Sequence, residues 1–191
     1  MRLIDLRQPA ENALLAIGAI EQEDFDGGRN FRIAEKTAVR KLLREMTGDD
    51  SLQILYEESG KPLLSDGRQI SISHTRGYAA IIIADRPVGI DIEYMSDRVG
   101  RITSKFVRED EKADSTLSQL LLWSAKETVF KLFSADRLAY FDMKAEPVEL
   151  PEPSDSKGSG IMKIQNLKRD IPQTVKFEYN EHFVLTFAFF C

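Results

Sequence analysis

The residues most able to do chemistry are two acids, Asp91 and Glu93, in the segment VGIDIE at residues 88–93. They are two positions apart in a β-rich run, so both side chains leave the same face of the predicted strand. Carboxylates this close repel each other, which raises the pKa of one of them unless a cation lies between them. A hard divalent cation would suit the pair, whereas a solvent-facing acidic strand edge is the simpler alternative.

A second charged set, Lys126, Glu127 and Lys131, lies in the segment LSQLLLWSAKETVFKLF at residues 117–133. The segment is apolar on several sides, which predicts a largely buried helix. Glu127 and Lys131 are four positions apart and therefore share one helical face. Charges on a helix with little solvated surface need partners, which a phosphate and a metal ion would supply. An ordinary surface ion pair is the alternative.

Two shorter motifs precede these acids. GKP at residues 60–62 puts Lys61 in a turn, and SISH at residues 71–74 puts Ser73 and His74 at the end of a predicted strand. Small hydroxyl groups and a histidine suit phosphate contact. Taken singly, a turn lysine is usually solvated and a histidine is usually structural, so the order of the motifs carries more information than either one alone.

The elements that position these residues follow from hydrophobic spacing. FRIAEKTAVRKLLREM at residues 31–46 has apolar residues at near-helical spacing before Gly48, which predicts an amphipathic helix. Runs rich in β-forming residues predict strands at 69–73, 78–84 and 88–94, the last two joined by a hairpin across Asp85-Arg86-Pro87. Alternating apolar residues from Val175 to Phe189 predict a closing hairpin. IDL at residues 4–6 echoes IDI at 90–92, a pattern that an internal duplication would leave.

GKP, SISH, VGIDIE and WSAKETVFK, in this order, resemble the signatures of the phosphopantetheinyl transferase superfamily, (V/I)G(V/I)D and (F/W)(S/C/T)xKE(S/A)xxK. The chain length and the two early motifs resemble the pseudo-dimeric, surfactin-synthetase-activating type. That resemblance implies an α+β fold of two similar halves, each a small antiparallel sheet packed with helices. The active site is then expected at the seam, the junction of the halves. We place the seam near Pro87, which predicts halves at residues 1–87 and 88–191.

The resemblance also implies an activity, a cofactor and a site. The activity is that of a holo-acyl-carrier-protein synthase, which moves 4'-phosphopantetheine from coenzyme A to a carrier-protein serine and releases 3',5'-ADP. The implied cofactor is Mg²⁺, and its implied ligands are Asp91, Glu93 and Glu127. Glu127 is the implied general base, directly or through a metal-bound water, with Lys131 beside it as the other catalytic residue. The implied contacts to coenzyme A are Arg32, Arg40, Lys61, Ser73, His74, Lys126 and Lys131.

Other functions remain open at this point. A magnesium-dependent phosphohydrolase of nucleotides would also use clustered carboxylates and lysines, but it would hydrolyse coenzyme A without a carrier protein. A binding module could keep the fold and the site without turnover, because a sequence reports a site and not its rate. A purely structural protein would have no use for so many charges on apolar elements.

The segment SDRVGRITSKFVRED, which directly follows the acidic strand, suggests where a partner docks. Arg98, Arg101, Lys105 and Arg108 are spaced by 3, 4 and 3 positions, which predicts one basic face of a helix. An acidic acyl or peptidyl carrier protein held there would bring its serine close to the metal. A solvated helix face is the alternative, and Gly100 weakens the helix prediction.

Composition narrows the remaining possibilities. The 191 residues carry a net charge of -5, so no general attraction to nucleic acid or to an anionic membrane is expected. No stretch approaches the roughly 20 apolar residues that span a bilayer, and the first residues are unlike a secretory signal. The single cysteine, Cys191, provides neither a disulfide framework nor a thiolate metal site. A cytoplasmic monomer is the expectation.

Overall fold

The computed structural model describes residues 1–25, 31–147 and 156–190, and Cys191 lies outside the described residues. The chain is α+β, with two antiparallel sheets that are each packed against one long helix. This confirms the predicted fold of two similar halves. Within the described residues, no helix combines the length and the apolar character needed to cross a membrane.

The first sheet has the strand order β1-β2-β6-β5-β4-β3. Its elements are β1 (Arg2–Arg7), β2 (Ala13–Ala19), α1 (Phe31–Thr47), β3 (Ile54–Tyr56), β4 (Pro62–Leu64), β5 (Gln69–Thr75) and β6 (Tyr78–Ala84). Helix α1 forms as predicted because apolar residues recur every three or four positions, and Ala38, Leu42 and Met46 bury that face against the sheet. Gly48 ends the helix in the left-handed region, at φ 66°, where glycine is favoured.

The second sheet has the strand order β7-β11-β10-β9-β8. Its elements are β7 (Val88–Tyr94), α2 (Thr116–Leu132), β8 (Met143–Ala145), β9 (Gly158–Asn166), β10 (Ile171–Tyr179) and β11 (Phe183–Phe189). Strands β10 and β11 form the predicted closing hairpin. Helix α2 begins with a reciprocal cap, in which Ser115 and Ser118 each accept a hydrogen bond from the backbone N–H of the other.

The four layers are stacked helix, sheet, sheet, helix. The inner faces of the sheets share an apolar layer that includes Leu15 and Ile82 from the first sheet and Ile90 and Leu185 from the second. The outer faces are covered by α1 and α2. Helix α2 lies very close to β7, because a Cβ atom at Gly89 would be 2.2 Å from the carbonyl oxygen of Thr128. Strand β7, at the edge of its sheet, packs against β5 of the first sheet.

The predicted hairpin across Asp85-Arg86-Pro87 is wrong. Strand β6 is hydrogen-bonded on both edges, to β2 and to β5, so it has no free edge for β7. Strand β7 instead pairs with β11 of the other sheet. The segment is therefore a connection between sheets: the last strand of the first sheet ends at Ala84, and the second sheet begins at Val88.

The two sheets reveal which strands correspond. Without β1, the strand order of the first sheet is β2-β6-β5-β4-β3, which matches the order β7-β11-β10-β9-β8 of the second sheet. In each half, the long helix follows the first of these strands in the chain. The register agrees as well, since Ala16 faces Ile81 at the position where Asp91 faces Thr186. The echo between residues 4–6 and 90–92 is thus wrong as a structural match. The counterpart of the acidic strand β7 is β2, and β1 is an added edge strand.

Candidate active site

Asp91, on β7, is the buried centre of a polar cluster. Its Oδ1 accepts hydrogen bonds from Ser73 Oγ at 2.8 Å and from Lys131 Nζ at 2.8 Å. Its Oδ2 is buried and has no hydrogen-bond partner in the described part of the chain. An unsatisfied buried carboxylate oxygen is costly, so this atom is suited to receive a ligand, and a cation suits it best.

Glu93 leaves the same face of β7 as Asp91, as predicted. Its Oε1 accepts a hydrogen bond from Trp123 Nε1 at 3.0 Å, and its Oε2 accepts one from Thr75 Oγ1 at 3.1 Å. Burial and the neighbouring Asp91 charge raise the pKa of Glu93 to about 6. The repulsion expected between the two acids is therefore present in the fold.

Glu127, on α2, is the third acid of the cluster. The phenol of Tyr140 donates a hydrogen bond of 2.5 Å to Glu127 Oε1. Burial raises the pKa of Glu127, and the Asp91 charge raises it further, while Tyr140 and Lys131 act in the opposite direction. Burial and the Glu127 charge in turn raise the pKa of Tyr140, which keeps its phenol protonated as a donor.

Three hydroxyl groups close the seam, and sequence reasoning assigns only one of them, that of Ser73, to the site. Ser71, Ser73 and Thr75 alternate along β5 and so share the face that meets β7. The backbone N–H of Ile90 donates to Ser71 Oγ at 3.1 Å, and that of Tyr94 donates to Thr75 Oγ1 at 3.4 Å. These hydroxyls accept hydrogen bonds from backbone N–H groups on the edge of β7 that pairs with no described strand. In most sheets a neighbouring strand accepts such hydrogen bonds. In the sequence, the alternation of Ser71, Ser73 and Thr75 is the pattern that indicates a polar face on this strand.

The two lysines predicted on α2 have different positions. Lys131 joins the acids, because its Nζ donates both to Asp91 and to the Ile90 carbonyl oxygen, at 2.9 Å. Lys126 is fully buried, and its Nζ donates to the Phe106 carbonyl oxygen and to Glu111 Oε2, each at 2.7 Å. The structure does not bring Lys126 to the acids. Adjacent residues on a helix point about 100° apart, and here Lys126 points to Glu111 while Glu127 points to Tyr140.

A cleft of about 1130 Å³ runs along α1 beside the first sheet. The basic side chains along it are Arg32, Lys36, Arg40, Lys41, Arg44 and His74. Arg40 is exposed and forms no ion pair with any described residue, whereas His74 Nδ1 lies 3.3 Å from Glu35 Oε1. Lys61 precedes the cleft residue Pro62, and its ammonium donates to Gln69 Oε1 at 3.1 Å.

The cleft and the acids are on opposite sides of β5. Neighbouring strand residues face opposite ways, so His74 faces the cleft while Ser73 reaches Asp91. The three acids are not part of the cleft lining. A ligand with an anionic group at each end could therefore lie in the cleft and pass the end of β5 to the acids.

The basic segment after β7 is not the predicted single helix face. It consists of two short 3₁₀ helices, Asp97–Arg101 and Thr103–Lys105, and the chain bends at Ile102 so that Val99 and Phe106 are buried. Arg98 and Arg101 still share one side, since residues three apart eclipse in a 3₁₀ helix.

The four basic residues of this segment also differ in their availability. Arg98, Arg101 and Lys105 are exposed and form no ion pair within the described residues. Arg108 is held by Asp110 Oδ1 at 2.9 Å and by the Phe141 carbonyl oxygen at 2.5 Å. Three cations rather than four are thus open to a partner.

The donor set fits a partial magnesium site. Among residues 1–25, 31–147 and 156–190, no three His, Cys, Asp or Glu side chains form a ready-made metal cage. Mg²⁺ is commonly held by one or two carboxylates together with substrate phosphates and water. The unpartnered Oδ2 of Asp91, with the charge of Glu127 close enough to interact with it, matches that kind of site.

Two comparisons with known proteins agree on one family. A family model described as the 4'-phosphopantetheinyl transferase superfamily matches residues 87–188. The chain is also 30% identical over 146 residues to a protein named 4'-phosphopantetheinyl transferase gsp, from Aneurinibacillus migulanus. That match covers 63% of this chain and 62% of the relative, so the chain spans less than two thirds of the relative's length.

Proposed function

Because the chain belongs to the 4'-phosphopantetheinyl transferase superfamily, we propose that it transfers 4'-phosphopantetheine from coenzyme A to a serine of an acyl or peptidyl carrier protein. One observation carries the proposal beyond family membership. The buried Asp91 is held by a hydroxyl from the first half and a lysine from the second, and one of its oxygens has no partner among the residues that the structure describes. Such a carboxylate oxygen is suited to bind a cation at the junction of the two halves.

Mg²⁺ is the proposed cofactor, and Asp91, Glu93 and Glu127 would hold it. When bound, it would neutralise the pyrophosphate of coenzyme A as negative charge develops on the leaving group. Two of these carboxylates are already held in place by hydrogen bonds. Ser73 and Lys131 fix one oxygen of Asp91, while Thr75 and Trp123 fix both oxygens of Glu93.

Coenzyme A is proposed to lie in the cleft along α1. Arg40 and Arg32 would bind the 3'-phosphate end, since guanidinium groups pair well with phosphate oxygens. His74 and Lys61 would contact the pyrophosphate, with Ser73 beside them acting through Asp91. Lys126 is left out of these contacts, because its ammonium is buried in an ion pair with Glu111.

In the proposed reaction, the carrier serine oxygen attacks the phosphorus that bears the pantetheine arm. A new P–O bond forms to serine, the bond to the other phosphate breaks, and 3',5'-ADP leaves with that electron pair. Glu127 is the proposed acceptor of the serine proton, because a raised pKa makes a carboxylate a better base. The ammonium group of Lys131, 2.8 Å from Asp91 Oδ1, would help to neutralise the charge that develops while the phosphoryl group is transferred.

The carrier protein is proposed to dock on the segment after β7. Arg98, Arg101 and Lys105 offer three exposed cations there, without an ion pair in the described ranges, on a chain whose net charge is -5. Such a local basic surface would steer an acidic carrier and would disfavour basic partners. Arg108 is proposed instead to hold the segment in place through Asp110 and Phe141.

The test is an intact-mass assay. The purified protein is incubated with coenzyme A, Mg²⁺ and apo carrier proteins from fatty acid, polyketide and peptide synthesis. We expect at least one carrier to gain the mass of one phosphopantetheine group, and the same carrier with its acceptor serine replaced by alanine to gain nothing. If coenzyme A is consumed while every carrier stays unmodified, the protein is a phosphohydrolase. Binding of coenzyme A with neither reaction would indicate a binding module.

A further inference from the structure

Two aromatic residues outside the acid cluster each hold one of its carboxylates. The phenol of Tyr140 donates to Glu127 Oε1 at 2.5 Å, and the indole of Trp123 donates to Glu93 Oε1 at 3.0 Å. The two rings also contact each other, with centroids 4.9 Å apart and planes inclined by 38°. The donors that fix these two acids are therefore themselves packed together.

Tyr140 is anchored independently of Glu127. It begins a short 3₁₀ helix, Tyr140–Asp142, in which Asp142 Oδ2 accepts the backbone N–H of Ala139 at 2.7 Å. Asp142 is held in turn by Lys168 Nζ at 3.0 Å. The ring of Tyr140 packs against the core of the second half, so the position of its hydroxyl does not depend on the hydrogen bond to Glu127.

Only one oxygen of Glu127 is engaged in this way. Oε1 takes the hydrogen bond from Tyr140, and no hydrogen bond to Oε2 is formed within the described residues. A glutamate has several rotatable bonds, and a fixed donor on one oxygen selects the orientation of the other. Glu127 lies one turn before Lys131 on the same face of α2, and Lys131 Nζ donates to Asp91 Oδ1 at 2.8 Å, so this face of the helix is the one that meets Asp91.

We propose that Tyr140 is a positioning residue of the transferase site. Its hydroxyl fixes Glu127 so that the second carboxylate oxygen is directed toward the position that Asp91 Oδ2 also serves. Contact with Trp123 sets the separation of Glu127 from Glu93. This inference rests on the proposed function, because it assumes that these acids act together on a cation and on the serine proton.

The variant Tyr140→Phe tests this role, since it removes the hydroxyl and keeps the ring contact with Trp123. The probe is Mn²⁺ binding in the presence of coenzyme A, followed by the electron paramagnetic resonance signal of free Mn²⁺. Loss of an outer hydrogen bond to a metal-binding carboxylate typically weakens binding 10- to 100-fold, so we expect an increase of about tenfold in Kd. We also expect a similar fall in kcat, with KM for coenzyme A changed less than about twofold.

The matched control is Tyr78→Phe, which also removes a hydroxyl from a half-buried ring in aromatic contact, here with Phe183 at 5.1 Å. It should leave Kd, kcat and Tm unchanged. The variant Trp123→Phe removes the other donor and should weaken Mn²⁺ binding as well. The double variant should lose less than the product of the two single effects, because the rings position one another.

Several results would overturn the role of Tyr140. They are unchanged or tighter Mn²⁺ binding by Tyr140→Phe, a fall in kcat that is matched by Tyr78→Phe, or no Mn²⁺ binding by the wild-type protein with coenzyme A. The proposed function fails separately. A wild-type protein that binds Mn²⁺ through Asp91 but modifies no carrier would contradict the transfer reaction, and the Mn²⁺ comparison of the variants would still measure the effect of Tyr140.

Discussion

The two halves share a scaffold and differ in the chemistry placed on it. Strand β7 presents Asp91 and Glu93 to α2, whereas its counterpart β2 has Ala16 and Gly18 at the same positions in register, facing α1. Glu127 is the twelfth residue of α2, and the twelfth residue of α1 is Leu42, which is fully buried. All three proposed metal ligands therefore have small or apolar counterparts in the first half.

This difference shows how two halves of similar architecture can divide their tasks. In the first half, the contact between helix and sheet is a tightly packed apolar core, which stabilises the fold. In the second half, the same contact contains the buried Asp91 and two part-buried glutamates, Glu93 and Glu127, whose pKa values are raised, an arrangement that favours ligand binding over stability. The first half still contributes to the site through Ser73 and Thr75 on β5. The proposed site therefore draws on side chains from both halves.

The largest effect is expected at Asp91. Replacing it by alanine gives β7 the residue that β2 has at the matching position, Ala16, which the scaffold accommodates there. We expect kcat/KM for transfer to fall by about 100-fold or more, because the buried oxygen that binds the cation is lost. The change in Tm should be small. If the variant transfers within about tenfold of the wild-type rate, Asp91 is not a metal ligand.

A matched pair of helix variants separates the two halves. Leu42→Ala should lower the free energy of unfolding by about 2–5 kcal/mol, because it leaves a cavity in a fully buried core. Glu127→Gln, at the same position counted from the start of α2, should leave stability nearly unchanged and should slow transfer by about 100-fold. Chemical denaturation and kcat measurements on both variants give the comparison. Equal losses of stability at the two positions would show that the halves are not specialised as described.

The pH dependence of the free energy of unfolding should show the raised pKa of Glu93. Its pKa is raised from 4.5 to about 6, so the folded state binds the proton more tightly than the unfolded state does. This contribution to the stability of the metal-free protein is complete below the unfolded pKa and is lost as the pH rises through the folded pKa. Glu93→Gln stays neutral, so it should be about 1–2 kcal/mol more stable than the wild type near neutral pH. Urea denaturation across this range should show the difference vanishing in acid. A difference that grows toward acid pH would contradict this account.

The smallest effect is expected at the docking segment. Arg101→Glu with Lys105→Glu should raise KM for the carrier several-fold, weaken the dependence of the rate on salt, and leave KM for coenzyme A unchanged. The control is Lys163→Glu with Lys176→Glu, which changes the net charge equally on exposed positions of β9 and β10. A control that raises KM for the carrier by the same factor would mean that only the net charge matters.

Much of this fold is readable from local patterns. Hydrophobic spacing predicts α1, α2 and the closing hairpin, because each of them buries one face at its own period. The same reasoning puts Asp91 and Glu93 on one face of β7, where the structure has them. These features depend on residues a few positions apart, so the sequence alone carries them.

Other features depend on contacts that local sequence does not encode. A turn sequence at residues 85–87 is the same whether it closes a hairpin or connects two sheets. Here it connects two sheets, because both edges of β6 are already paired, with β2 and with β5. Adjacency in a motif predicts that Lys126 and Glu127 act together, although a helix directs their side chains apart. The bend at Ile102 arises because Val99 and Phe106 are both buried, which overrides the regular spacing of the basic residues.

The most direct test of the account is the release of 3',5'-ADP, measured with and without an apo carrier protein that the enzyme modifies. Transfer predicts one 3',5'-ADP for each phosphopantetheine group found on the carrier by mass, and none when the carrier is left out or lacks its serine. Release that continues without the carrier would contradict the account, because a site at the seam that hydrolyses coenzyme A is a phosphohydrolase.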